Sequence, residues 1–269
     1  ARTVELAEPQ MESPPTALER VLLRARLQVG VGLLGAVALS WLYLVPVARD
    51  MYGAMNGPSA WMMQAEWDAR YALLIFLMWA VMMVGMMLPS AAPAILLYAR
   101  VLKNSPGAAQ PVARTYAFTS GYLLAWTAFS AAATLLQWAL TRLDWLSPMM
   151  ESRTPLLAAV LLAAAGIYQW TPFKRACLAH CRSPLEFVTR RWKSGVAGAL
   201  SLGTQHGLYC VGCCWALMLL LLAGGVMNLD WVGAITVFVL LEKLAPRGAQ
   251  GGRLSGALLL AGAALLLIR

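Results

Sequence analysis

Residues 71–99 read YALLIFLMWAVMMVGMMLPSAAPAILLYA, twenty-nine positions without one Asp, Glu, Lys or Arg. A crossing of the ~30 Å hydrocarbon layer takes ~20 apolar helical residues, so this stretch reads as a membrane span with length to spare. Working outward, apolar runs recur at 27–47, 116–140, 154–172, 197–223, 229–244 and 254–268, separated by short charged stretches. The 269-residue chain is 60% hydrophobic and 12% charged, about half the charge of a soluble domain. These runs predict an all-α, polytopic transmembrane bundle of about seven spans with no soluble domain. Residues 1–15, acidic and Pro-rich, read as a flexible tail, and 16–269 as a single transmembrane domain. Thr16 and Glu19 form a capping box that opens the first helix. Pro89 and Pro93 predict a kink in the later third of the second span. The sixth and seventh spans are short and could pack as a hairpin around Pro246 and Gly248.

The net charge of +9 is read as a topology signal, not as nucleic-acid binding. With the N-terminus in the cytoplasm, 16 Lys and Arg fall inside and 5 outside, and every internal loop agrees. The positive-inside rule then gives N-in, C-out for seven spans. The outer loops, 48–70 and 141–153, carry Tyr52, Trp61, Trp67 and Trp145, residue types suited to the headgroup region. A helix through 59–69 is expected along that surface.

Three clusters break an otherwise Ala/Leu/Val-rich chain. In GTQHGLYCVGCCW of the fifth span, His206, Cys210, Cys213 and Cys214 sit at about 0°, 40°, −20° and 80° on a helical wheel. They share one face over two turns. Thiolates and imidazole converging there suit a soft metal, and Gly203, Gly207 and Gly212 allow a second helix to approach closely. Equally, Cys is a small hydrophobe that fills helix interfaces. In FKRACLAHCRSP, Cys177, His180 and Cys181 lie in the most basic cytoplasmic loop, where neighbouring cations favour thiolate. They read as ligands, as reduced cytosolic thiols or as a redox pair. A fold-back of this loop onto the fifth span would let Cys177, His180 and Cys181 complete a site with His206 and Cys210. In the second span Met78, Met82 and Met86 form a stripe with Met83 and Met87 beside it. Thioethers bind Cu(I) in preference to zinc or magnesium, although Met stripes also pack cores. Eleven of the fourteen Met lie in this span or the outer loops, counting Met51, Met55, Met62, Met63, Met149 and Met150. Glu242 and Lys243, at the inner end of the sixth span, are expected to pair with neighbours or to reach the interface. Both His accompany Cys, so no Ser/His/Asp grouping exists, and paired carboxylates are absent from the spans. The sequence gives no positive case for a hydrolase.

The segments MWAVMMVGMMLPS, YQWTPFK…CLAHC and HG..C.GCCW occur in that order over about residues 70–245. Here the chain resembles the bacterial family of predicted metal-binding integral membrane proteins (domain of unknown function 2182). The resemblance implies a metal site and carries over Met82, Met83, Met86, Met87 and Pro89. It also carries over Tyr168, Gln169, Pro172, Lys174, Cys177, His180 and Cys181. His206, Gly207, Cys210, Cys213, Cys214 and Trp215 complete it, with no departure at these positions.

The expected function is binding of a soft ion, Cu(I) ahead of zinc, in copper handling or delivery to a membrane metalloenzyme. The lipid bilayer and other membrane subunits are the expected partners, and nucleic acid is not. A non-catalytic accessory subunit of a larger membrane complex is the alternative, and a thiol–disulfide protein using Cys177/Cys181 or Cys213/Cys214 a third reading.

Overall fold

The computed structural model describes residues 17–53, 57, 67–103, 110–245 and 248–268. The expected tail over 1–15, the capping Thr16 and almost all of the expected surface helix over 59–69 lie outside these residues, as do Met55, Met62, Met63 and Pro246. Within them the fold is helical, with a single isolated bridge between Leu146 and Ser152. The helices are α1 (Ala17–Met51), α2 (Ala69–Lys103), α3 (Pro111–Arg142), α4 (Pro155–Trp170) and α5 (Pro172–Arg182). They continue as α6 (Pro184–Arg190), α7 (Gly195–Leu219), α8 (Leu221–Gly224), α9 (Leu229–Leu244) and α10 (Gly248–Ile268).

Proline sets four of the starts. α3, α4, α5 and α6 all begin on Pro, where its missing N–H is no loss and its fixed φ suits the first turn. The same chemistry breaks the expected fourth span. Pro172 cannot donate to the Tyr168 carbonyl, which instead accepts from the Thr171 amide and hydroxyl at 3.1 and 2.8 Å. Thr171 then caps α5 by accepting from the Lys174 amide. The chain turns 67° between α4 and α5, and Pro184 starts α6 one residue beyond the end of α5. What reads in sequence as a basic cytoplasmic loop is therefore a helical elbow, and α5 packs back against α7. α2 runs on as one helix through Pro89 and Pro93.

Among the described residues, five helices are long and apolar enough to cross a membrane. They are Leu27–Met51, Ala69–Leu102, Pro111–Arg142, Gly195–Gly224 and Gln250–Ile268, and the bent α4–α5 pair would make a sixth. The expected sixth span, α9, has 16 residues and a length of only ~24 Å, short of an upright crossing of ~30 Å. Leu34 on α1 and Leu258 on α10 are 73% and 64% exposed, a leucine-covered exterior compatible with a multi-pass membrane protein.

Glycine brings the bundle together at two seams. On α7, a Cβ at Gly203 would collide with the backbone of Phe118 on α3. Between α4 and α10, Gly166 and Gly256 each face the other's carbonyl, at 2.9 and 3.0 Å from the position a Cβ would take. Such contacts are how helices associate where lipid offers no hydrophobic drive. Around this frame the core includes Trp79, whose indole N–H donates to the buried Gln137 amide oxygen at 2.8 Å. At the far end from the elbow, Tyr52 donates to Glu151 at 2.7 Å, tying α1 to the α3–α4 connection. Burial together with that carboxylate pushes the Tyr52 phenol well above its ordinary value.

Candidate metal centre

The cysteine-bearing face of α7 points into the protein. His206, Cys210, Cys213 and Cys214 are all buried, and Gly203 and Gly207 on the same helix let α3 close over them. Cys210 lies at the centre. Its sulfur is 2.9 Å from the Lys243 ammonium of α9 and 3.1 Å from the Tyr122 hydroxyl of α3. Its carbonyl accepts from the Cys213 and Cys214 thiols at 3.1 and 2.9 Å.

The elbow delivers the second set of sulfurs. Lys174, Cys177 and Cys181 fall within ~60° of one another around α5, so one helix face carries a cation and two thiols inward. Cys181 Sγ lies 4.0 Å from Cys213 Sγ. Cys177 packs on Gly212, where an added Cβ would sit 2.8 Å from its sulfur. Tyr168 at the end of α4 donates to the Gly212 carbonyl. All five Cys are free thiols, so none is tied up in a disulfide.

The fold-back anticipated from sequence thus occurs for Cys177 and Cys181, which meet Gly212 and Cys213, but not for His180. His180 turns away from the thiols and stacks on Tyr209 at 4.2 Å with nearly parallel rings. His206 sits in an aromatic cage of Phe118, Tyr122 and Phe187, with ring centroids 5.3 to 6.0 Å away. Its Nδ1 is buried with no hydrogen-bond partner, an orphaned nitrogen one turn from Cys210. The Met stripe is core: Met82, Met83, Met86 and Met87 are all buried. Met87 reaches the thiols, with its sulfur 3.9 Å from Cys214 Sγ.

Two α9 side chains pair inside the protein and do not reach the interface. Lys243 is 6% exposed and donates to Ser90 Oγ at 3.0 Å as well as to Cys210. Glu242 pairs with Lys174 at 2.8 Å, their side chains 1% and 2% exposed. Lys174 also donates to Gln169, whose amide donates in turn to Ser255 of α10. Arg182, at the other end of α5, donates to the carbonyls of Glu242 and Ala245 at 2.5 and 2.8 Å, capping the C-terminus of α9. The elbow is thereby clamped to α9 at both ends, with Cys177 and Cys181 between the clamps. Lys243 and Tyr122 are missing from the sequence-based set of site residues. The signal for Lys243 is a cation closing a 16-residue apolar helix that is too short to carry it to the surface.

The donor chemistry can be tested against an ion. Among the described residues, no three His, Cys, Asp or Glu side chains gather closely enough to enclose a metal. A four-ligand tetrahedral zinc site is therefore not preformed. Two sulfurs 4.0 Å apart, however, would each bond an ion between them at ~2.3 Å with an S–metal–S angle of ~120°. A pair of sulfur ligands suits a soft ion such as Cu(I).

Neither the curated proteins nor the solved structures contain a match to this chain. Residues 76–266, most of the chain and all three clusters, match a protein family described as PpoB2, copper chaperone. The chain belongs to the PpoB2 copper chaperone family.

Proposed function

We propose that this chain is a multi-pass inner-membrane protein, with its N-terminus in the cytoplasm, that carries Cu(I) for hand-over to a membrane metalloenzyme. The cargo is held by sulfur from two segments, Cys181 on the elbow and Cys213 on α7, with Cys210 drawn in as a third ligand on binding, since among the described residues no three donors are gathered beforehand. The observation that carries this reading is the 4.0 Å approach of Cys181 to Cys213, inside a bundle whose family is described as a copper chaperone. Cys214 and Met87 form a neighbouring sulfur pair, and His206 Nδ1 is a further donor for an ion in transit. A carrier must release as well as bind, and few-coordinate sulfur sites exchange ligands without first dismantling a closed shell. Lys243 beside Cys210 supplies positive charge that offsets a thiolate in low-dielectric surroundings, where an uncompensated anion is costly. The fifth-span face and the elbow therefore act as one centre, with Cys177 and His180 flanking it.

The test is copper bound per purified chain after anaerobic loading, for the wild type and for His206→Ala combined with Cys210→Ser. About one soft ion per wild-type chain, and much less in the double variant, is the expected result. Unchanged binding in the variant, or none in either protein, removes the site.

A further inference from the structure

We propose that the cavity beside the elbow is the portal where copper is received, and that Cu(I) docks there as its complex with a small anionic thiol. This rests on the copper-carrying reading above and adds to it the form of the cargo and the place of its arrival. The cavity holds about 300 Å³ and is lined by His180, Ser183, Glu186, Phe187, Arg190 and Arg191, at the small end of the range for ligand pockets.

Its floor is Phe187, a buried ring that separates the cavity from the interior. The His206 imidazole lies 5.3 Å behind it and the Tyr209 ring 5.9 Å to the side. Beyond His206, one helical turn along α7, lies Cys210. On the wall, His180 Nδ1 is 2.9 Å from the Ala176 carbonyl. That contact engages Nδ1 and leaves Nε2 as the ring nitrogen that can meet a ligand. His180 is followed directly by Cys181, whose sulfur faces Cys213. A ligand in the cavity thus has an imidazole nitrogen before it, the caged His206 behind the floor and the thiol pair across α5.

Charge selects the ligand. The Arg191 guanidinium lies over Phe187 and Tyr209, 5.6 and 5.2 Å from their centroids, and donates to Gln205 at 3.2 Å. Arg190 is matched by Glu186 at 3.1 Å, so the lining keeps a net positive charge. A bare monovalent copper ion is repelled by such a wall. A Cu(I) complex of thiols that carry their own carboxylates is anionic and is drawn in. Transfer is then ligand exchange with no change of oxidation state. The copper–sulfur bond to the carrier breaks as a bond to this chain's nitrogen or sulfur forms. Where a thiol receives the ion its proton passes to the departing carrier sulfur, and where an imidazole nitrogen receives it the carrier departs as thiolate.

The test follows the rate of anaerobic copper uptake by the full-length protein in detergent. Two donors are compared: Cu(I) complexed by glutathione, an anionic complex, and Cu(I) complexed by cysteamine, a cationic one. The wild type is expected to load from the anionic donor about tenfold faster at low ionic strength, a preference that fades with added salt. Arg190→Glu abolishes or inverts the preference, and Glu186→Gln enlarges it. Equal rates from both donors in the wild type, or the same preference in Arg190→Glu, overturn the portal while leaving the copper site standing. Failure of the wild type to take copper from either donor overturns the site and the portal together.

Discussion

Glu242→Ala is expected to destabilise this protein by about 3–5 kcal/mol. The substitution leaves Lys174 in place with its side chain 2% exposed and only the Gln169 amide oxygen to receive it. A buried charge without its counter-ion is far more harmful than the absence of both partners. The double variant Lys174→Met with Glu242→Leu, which removes both charges and keeps volume, is therefore expected to unfold near the wild-type midpoint or above it. The two variants differ also in function. Glu242→Ala loosens the start of α5 while Arg182 still caps α9 through backbone carbonyls, so Cys177 and Cys181 lose one of two anchors and copper affinity falls. Denaturation followed by tryptophan fluorescence in detergent reads the stability difference. A loss below about 1 kcal/mol in the single variant would show that the pair does not hold the elbow.

Cys181→Ser and Cys213→Ser are each expected to weaken Cu(I) affinity by about 100-fold or more, beyond the effect of removing a supporting residue. The reason is geometric. The two sulfurs face each other across the α5–α7 contact, and a hydroxyl in either position is a hard donor that Cu(I) disfavours. Met82→Leu, Met83→Leu and Met86→Leu keep volume in a packed stripe and are expected to change affinity less than about threefold, since such swaps perturb packing only mildly. Met87→Leu should fall between, because its sulfur is 3.9 Å from Cys214. Competition against a chromophoric Cu(I) chelator ranks all six. Affinity that survives Cys213→Ser but is lost in Met82→Leu would move the site from the elbow to the stripe.

The helices are legible because their signal is local. Every apolar run from 27–47 to 254–268 appears as helix, the run over 154–172 capped at Thr154 and broken at Thr171 and the run over 197–223 broken at Leu220. The 3.6-residue period also places His206, Cys210, Cys213 and Cys214 correctly on one inward face. What periodicity cannot give is the identity of the opposing surface. The elbow reads as a loop because Pro172 and Pro184, with Lys174, Arg175 and Arg182 between them, look like punctuation in water. In the fold, Lys174 and Arg182 are consumed by α9 and carry α5 inward. Lys243 reads equally well as a paired or an interfacial cation, since its thiol partner lies 33 positions away. The histidines show the limit most plainly. His180 sits one residue from a facing thiol yet points to Tyr209, because adjacent helical positions diverge by ~100°.

In the proposed copper centre, sulfur from the elbow and sulfur from α7 meet at one ion. Copper K-edge X-ray absorption on the loaded protein tests it most directly. An all-sulfur shell of two or three atoms is expected, lost when Cys181 and Cys213 are both replaced by Ser. A shell built of nitrogen or oxygen, or a sulfur shell that the double replacement leaves intact, would contradict it.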